Sequence, residues 1–307
     1  MSFRDRFPVL ACWLGKKRNI LSTLPYRKKP PQWSIKTYKK KYGIVLDLKH
    51  PISFYEKMNY WKHNYYDERQ TALADKLLVK KILTENKYGD LCAKTYFYSD
   101  NIRDLKKWFY ENKNKYKSFV FKTNHSCGDV YIYNNGAITK KNGRKIKKIS
   151  TVFKCLNIGL HYNHYYTAFE MPYKRIKPYV FVEEYIDFDE STIEYELMYN
   201  YGHFVGAKVV QNRQDSKLHV AVTVDDKFII INKEKWNDDS NIKIPSFFSK
   251  MDSISKQFGS FAPFCRCDFI INKDRLYFCE FTFVKSGGMD IYTPKNFNIE
   301  FGQKFNL

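Results

Sequence analysis

Asp268 and Glu280 lie in the stretch CRCDFIINKDRLYFCEFTF, residues 265–283, which reads as two short strands joined by a tight polar turn. Alternation sends Arg266, Asp268 and Ile270 to one face of the first strand, and Cys265, Cys267, Phe269 and Ile271 to the other. On the second strand Phe278, Glu280 and Thr282 share a face, while Tyr277, Cys279, Phe281 and Phe283 form the apolar one. Closure through a three-residue loop around Asp274 sets Asp268 across from Glu280, a like-charge pair that weakens a sheet unless something positive lies between the two acids. Water and salt can do this on a wet face. The alternative is Mg2+ shared with phosphate oxygens, for which hard oxygen donors are suited; Arg266 precedes the aspartate by two residues and the Thr282 hydroxyl follows the glutamate by two.

A second set of residues could handle phosphate. The apolar strand FVFK ends in Lys122 and runs into TNHSCGD, whose small and polar residues can cradle phosphates with backbone N–H groups while the ammonium neutralises their charge. An ordinary hairpin loop has the same composition. His125 and Cys127 also have the residue types of a Cys–His nucleophile, although no group that would orient the pair can be picked out. In FVEEYI, Glu183 and Glu184 stand where an apolar strand leaves the core, and the backbone of Tyr185 and Ile186 could pair with a purine edge; solvated acids at a strand end are the alternative. His161 and His164 lack the further partners that a metal site requires. The KSGG turn, residues 285–288, offers backbone N–H groups and Lys285 to an anion, or is a plain glycine turn.

The elements that must position these groups begin with helices. Ser53 and Glu56, just after Pro51, form a capping box that opens the first of them. ERQTALADKLLVKKILTEN is expected as a single helix with Leu73, Leu77, Leu78 and Ile82 as its apolar stripe. DNIRDLKKWFYENK, capped by Asp100 or Asn101, is another. From Phe119 the period becomes that of strands, with hairpin signals through VAVTVDDKFIIIN, and a last helix runs from Pro245 to Gly259 before the acidic hairpin. Residues 1–48 are basic, with RKKPPQW and KTYKKKYG expected as loops or edge segments. The order is α+β, not a repeating βαβ one.

Composition bounds the function. At 307 residues with 18% aromatic side chains the chain can bury a substantial core, and its formal net charge of +21 points to anionic partners without choosing among phosphates, acidic polysaccharide, nucleic acid and lipid. Seven cysteines, an odd number with no CxxC pair, exclude a disulfide framework or structural zinc site as the expectation; Cys265 and Cys267 read as core residues and the compartment as a reducing cytoplasm. There is no apolar run long enough to span a bilayer, and FPVLACWLGKKRN is too short for a signal peptide. Phe3, Phe7, Leu10, Trp13 and Leu14 mix with Arg4, Arg6, Lys16, Lys17 and Arg18 in a composition suited to peripheral contact with anionic membrane, or else the aromatics pack inward.

The order of a strand-ending lysine with a phosphate loop, a Glu-Glu hinge, and Asp and Glu on neighbouring strands resembles that of ATP-grasp ligases. More closely, FYEKMNYWKHNYYDERQTALADKLLVKKI, FVFKTNHSCGDV, YKRIKPYVFVEEYI, EYELMYNYG and FCRCDFIINKDRLYFCEFTFVKSGG resemble the TupA-like ATP-grasp family of bacterial surface-polysaccharide and teichuronopeptide synthesis. The resemblance, from about His50 onward, implies an ATP-grasp fold of two α+β subdomains clamping nucleotide after a short basic helical segment: residues 1–48, 49–118, 119–186 (a lid with the phosphate loop) and 187–307. By the same resemblance, Lys76 or Lys80 together with Lys122 would bind ATP phosphates under the loop of Asn124, His125, Ser126 and Gly128. Glu183, Glu184, Tyr185 and Ile186 would hold adenine, and Glu190 the ribose. Asp268 and Glu280 would carry Mg2+, with Thr282 where many relatives use Asn, and Arg266 would face the transferring phosphoryl group. The family pattern usually reads Asp-Tyr-Lys near EYELMYNYG, where this chain has Glu194 and Glu196. The implied activity joins a hexuronic acid to an amino acid or other amine. A glycosyltransferase of the same pathway and a non-catalytic polyanion-binding module are the alternatives; nucleic acid is not the expected partner.

Overall fold

The computed structural model describes residues 3–189, 191–211, 219–224, 227–230, 245–292 and 296–307. Helices α1 (Phe3–Arg6), α2 (Pro8–Thr23), α3 (Pro30–Tyr42), α4 (Phe54–Asn64), α5 (Glu68–Ala74) and α6 (Leu78–Glu85) precede β1 (Thr95–Ser99) and α7 (Ile102–Asn112). Next come β2 (Ser118–Thr123), β3 (Val130–Asn134), β4 (Ala137–Lys140), α8 (Ile149–Leu160), α9 (Tyr165–Ala168) and β5 (Val180–Glu184). Strands β6 (Ile193–Asn200), β7 (His203–Gln211), β8 (His219–Val224) and β9 (Lys227–Ile230), helix α10 (Phe248–Gly259), the hairpin β10 (Cys265–Asn272) and β11 (Arg275–Thr282), and α11 (Phe297–Gln303) complete the order.

The chain forms two compact units. The first takes the residues up to Pro25, Asp75–Thr167 and Tyr173–Asp187; the second takes Tyr26–Ala74, Ala168–Pro172 and the chain from Phe188 onward. The first holds an antiparallel sheet of order β1-β5-β2-β3-β4, whose apolar face (Phe119, Phe121, Val180, Val182) packs with Phe109 of α7 and Phe153 of α8. The second holds an antiparallel sheet of order β11-β10-β6-β7-β8-β9 and an aromatic core in which Phe54 of α4 meets Phe264, Phe301 and Phe305.

Local signals set several boundaries. Ser53 caps α4 through a complete capping box, its Oγ accepting from Glu56 N and the Glu56 carboxylate accepting from Ser53 N at 2.9 Å. Asn101, rather than Asp100, caps α7 by accepting from Arg103 N at 2.9 Å.

Two expectations change, and one helix was not expected. The segment RKKPPQW…KTYKKKYG is helix α3, because proline tolerates a first-turn position, Gly43 closes the end at φ 73°, and Trp33, Ser34 and Tyr38 share a buried face. The helix expected over residues 68–86 is broken: Asp75 Oδ1 accepts from Leu77 N and Leu78 N at 2.9 and 3.3 Å and starts α6 afresh. The restart shifts the phase, so Leu73, Val79 and Leu83 are buried while Leu78 is exposed. Helix α8, from its buried Val152, Phe153, Cys155 and Leu156, had no forecast at all.

Candidate functional site

The acidic hairpin reaches its pairing by another route than a three-residue loop. Lys273 and Asp274 both have positive φ, 48° and 61°, and make a two-residue turn closed by Asn272 and Arg275. By itself that register would set Asp268 against Cys279. A bulge between Asp268 and Phe269 adds one residue on β11, so Asp268 pairs with Glu280 after all. It also turns Cys279 out to solvent and puts Phe278 on the apolar face, 5.8 Å ring to ring from Phe269, reversing the side expected for both residues.

Sheet register carries the acid row further. Asp268 pairs with Glu196 of β6 on its other side, and Glu196 pairs with Lys208 of β7, so Lys208, Glu196, Asp268 and Glu280 form one row across four strands. The positive group between the acids is Arg266. Its Nε and Nη2 donate to Asp268 at 2.7 and 2.5 Å, Nη2 lies 3.5 Å from Glu280 and Nη1 lies 3.6 Å from Glu196. Lys208 Nζ donates to Glu196 Oε1 at 2.8 Å. Thus a cation stands beside Glu196 on the adjacent strand, which strand periodicity alone did not expose.

The electrostatics separate the acids. Burial pushes Asp268 up to about 7, with Glu196 and Glu280 adding to the rise against the opposing Arg266. Burial works the same way on Glu196, but Arg266 and Lys208 overcome it and hold that carboxyl low. Arg266 stays charged despite its burial, because Asp268 and Glu196 flank it. Thr282 is buried and sits opposite Arg266 on β11.

The donor set fits a hard cation that completes its shell with phosphate and water. Glu196 Oε2 is buried and accepts no hydrogen bond, and Asp268 and Glu280 offer carboxylate oxygens in register. Both Asp268 oxygens accept from Arg266, and among the described residues no group of three or more His, Cys, Asp and Glu side chains is placed to hold a metal ion by itself.

The KSGG turn is pinned from inside. Ser286, Gly287 and Gly288 all have positive φ, and the carbonyls of Gly287 and Gly288 accept from Lys62 Nζ and Asn59 Nδ2, each at 2.8 Å. Lys285 is not presented to solvent; its Nζ lies 3.2 Å from Tyr55 Oη and 3.5 Å from Asp290, and burial pulls its pKa down.

In the first unit, Glu183 is the centre. Lys122 of β2 and Lys80 of α6 both pair with its carboxylate, Lys80 at 2.6 Å, and Lys80 Nζ also donates to Ala93 O at 2.7 Å and Thr95 Oγ1 at 3.2 Å. Burial alone would raise Glu183, but Lys122 and Lys80 hold it down to about 2. Its side chain is therefore committed to the lysines. Glu184 accepts from Lys94 N at 3.2 Å, and Tyr185 and Ile186 continue beyond the last residue of β5. Glu190 lies outside the described residues.

The loop between β2 and β3 is tightly bonded to its own unit. Asn124 Nδ2 donates to Asp75 Oδ1 and Lys177 O, both at 3.0 Å, and Asn124 Oδ1 accepts from Tyr179 N at 2.8 Å. His125 is buried against the Gly159 and Tyr162 carbonyls. Ser126 Oγ donates to Asp129 Oδ2, which also takes Lys16 Nζ of α2 at 2.6 Å. Gly159 permits this closeness, since a Cβ there would come within 3.0 Å of Asp129 Oδ2. The side chains of Asn124, His125 and Ser126 thus shape the loop from within, and its outward part is Cys127 and Gly128, the latter at φ 95°.

Lys76 is tied to the loop by its backbone N, 3.2 Å from Asn124 O. Burial, then the charges of Lys76 and Lys16, push His164 down to about 4, and its Nε2 lies 3.7 Å from Cys127 Sγ. His161 is exposed and bonds within its own helix. Cys265 and Cys267 are core residues.

The fold is the ATP-grasp fold. Residues 56–306 match the family described as TupA-like ATPgrasp, and the chain belongs to that family. Among solved structures, a D-alanine–D-alanine ligase from Bacillus anthracis is 17% identical, with 71% of this chain and 59% of that one covered and a TM-score of 0.39. D-cycloserine synthetase DcsG is 12% identical over 76% of this chain and 69% of its own, with a TM-score of 0.40. The ATP-grasp ligase PsnB, complexed with a phosphomimetic variant of minimal precursor, Mg and ADP, is 9% identical over 76% and 56%, with a TM-score of 0.39. The curated proteins contain no match to the chain.

Proposed function

We propose that this protein is an ATP-dependent carboxylate–amine ligase that joins a hexuronic acid to an amino acid or another amine in bacterial surface-polysaccharide synthesis. The observation that carries the reading is the row Lys208–Glu196–Asp268–Glu280 with Arg266 among its acids, in a chain of this family. A carboxylate is a poor electrophile. One of its oxygens attacks the γ-phosphorus of ATP, the bond to ADP breaks, and the resulting acyl phosphate is attacked by the amine; phosphate leaves and the amine nitrogen loses a proton. Mg2+, held by Asp268 and Glu280 with Thr282 beside them, would neutralise phosphate charge.

The chain's own groups supply the rest. Arg266 stabilises charge on the phosphoryl oxygens, and Lys122 with Lys76 binds the phosphates over the backbone of Cys127 and Gly128. Lys80 keeps Glu183 ionised and in place, so it acts on Lys122 rather than on nucleotide. Glu184 and the backbone of Tyr185 and Ile186 take the adenine, and Glu190 the ribose. We place the enzyme in the cytoplasm, peripherally at the membrane, where a lipid-linked saccharide would present its carboxylate.

Thermal denaturation with Mg-ATP, UDP-sugars or oligonucleotides tests the class of ligand: stabilisation by Mg-ATP alone is expected, and stabilisation by a UDP-sugar alone would replace the ligase with a glycosyltransferase. Incubation with ATP, Mg2+, glucuronate or galacturonate and an amino-acid mixture should release ADP and phosphate. Release of AMP instead would refute the acyl-phosphate route.

A further inference from the structure

The N-terminal helices carry an apolar stripe that the first unit leaves outside. Of the fifteen large apolar side chains exposed among the described residues, seven (Phe3, Phe7, Leu10, Trp13, Leu14, Leu21 and Leu24) fall between positions 3 and 24. Phe7 N bonds Phe3 O and Ala11 N bonds Phe7 O, both at 2.9 Å, so helical hydrogen bonding runs through the junction of α1 and α2. Phe7, at φ −130° and ψ 64°, is the non-helical residue between the two helices, and from α2 onward Leu10, Leu14, Leu21 and Leu24 recur at spacings of three, four or seven, which places them on one side.

That side is not the packed one. Val9 and Cys12 enter the core beside α8, Lys16 pairs with Asp129, and Thr23 Oγ1 donates to Tyr166 O at 2.7 Å, so the opposite face is the docked face. Soluble chains seldom leave so long an apolar stripe to water. Beside the stripe opens a shallow groove of about 670 Å³ lined by Phe7, Leu10, Trp13 and Ile158.

Charge selects the occupant. Residues 3–25 hold five basic residues, Arg4, Arg6, Lys16, Lys17 and Arg18, against one acid. Lys17 falls in the stripe between Leu14 and Leu21, with its ammonium over the Trp13 ring at 5.7 Å, and the Arg6 guanidinium stands 5.5 Å from the Phe7 ring centroid. Cations at the edge of an aromatic and leucine surface suit a layer with phosphate above and acyl chains below. A second copy of the chain would instead bring the same cations against themselves.

We propose that the outward stripe of α1–α2 is a docking surface for anionic phospholipid, on which the helix lies in the plane of the interface. Apolar side chains enter the acyl boundary while Arg4, Arg6, Lys17 and Arg18 meet the headgroup phosphates. This deepens the peripheral placement above, and its test needs no ligase activity. Because Lys16 of the same helix holds Asp129 beside the β2–β3 loop, the bound surface and that loop share one unit.

Co-sedimentation of the full chain with phosphatidylcholine vesicles, with and without phosphatidylglycerol, reads the proposal. Binding should require phosphatidylglycerol and fade with added salt. Leu10→Glu combined with Leu14→Glu should keep the chain in the supernatant at an unchanged melting midpoint. Lys17→Ser with Arg18→Ser should weaken binding about thirtyfold, about fivefold for each charge removed. Equal sedimentation of wild type and both variants, or binding to neutral vesicles alone, overturns it. So does a dimer in light scattering that the glutamate pair dissolves while vesicles bind nothing.

Discussion

Replacing Glu183 with Gln removes the carboxylate shared by Lys80 and Lys122 while keeping its shape. Glu183 is 5% exposed, and Lys80 and Lys122, with side chains 18% and 27% exposed, lose the carboxylate between them. Taking one member from a buried ion pair costs about 3–5 kcal/mol. Linkage gives an independent figure. The folded carboxyl is held near 2 against an ordinary 4.5, so its ionisation contributes about 3 kcal/mol at pH 7. A depressed pKa stabilises above the unfolded value, and that contribution disappears as pH falls through the folded one. The wild-type advantage over the Gln variant should therefore be full above pH 4.5, fall to under half by pH 3 and vanish near pH 2. Urea unfolding of both proteins between pH 7 and pH 3, with hydrogen exchange at the β2 and β5 amides to report the first unit, measures it. A difference that stays constant across that range would show that the variant's defect is one of packing and not of charge.

Other outcomes follow from the two clusters. Lys122→Ala should weaken ATP binding by about ten- to a hundredfold, the worth of one charge-assisted hydrogen bond, as read by calorimetry; an unchanged dissociation constant would leave Lys122 a purely structural partner of Glu183. Asp268→Ala and Glu280→Ala should each abolish ADP release; Glu280→Ala should hold or raise the thermal midpoint, because it removes a repulsion within the acid row, whereas Asp268→Ala should lower it, because buried Arg266 loses the carboxylate that accepts from two of its nitrogens; a Glu280→Ala variant that unfolds would make the row structural. Cys127 and Cys279 are both exposed thiols, but only Cys127 lies in the β2–β3 loop. Mg-ATP should slow iodoacetamide modification of Cys127, read by peptide mass spectrometry, and leave Cys279 as the internal reference; equal protection of both, or of neither, would remove that loop from the nucleotide site.

What the sequence by itself determined were the features written in local chemistry. The Ser53–Glu56 capping box, a cap at Asp100 or Asn101 and the alternation of residues 265–269 need no more than a few neighbouring residues, and each appears where its pattern lies. The α+β order was legible for the same reason, whereas the Asp268–Glu280 pairing, expected from a three-residue loop, is made by a two-residue turn and a bulge. Tertiary structure decided what depends on partners distant in sequence. The prolines and lysines of residues 27–41 read as a loop until Trp33 and Tyr38 find a core to enter. Asp75 breaks a periodic helix while also receiving Asn124, forty-nine positions later in the chain. At the acid row, strand alternation could list the faces of β6 and β10 but not which strands would neighbour them. Lys208 reaches Glu196 because β7 pairs with β6 in one register, and the bulge at Cys279 exchanges Phe278 for Cys279 on the buried side because Phe269 and Phe281 offer apolar contact there. A period of two records which residues share a face; only the packed sheet sets which charges meet across it.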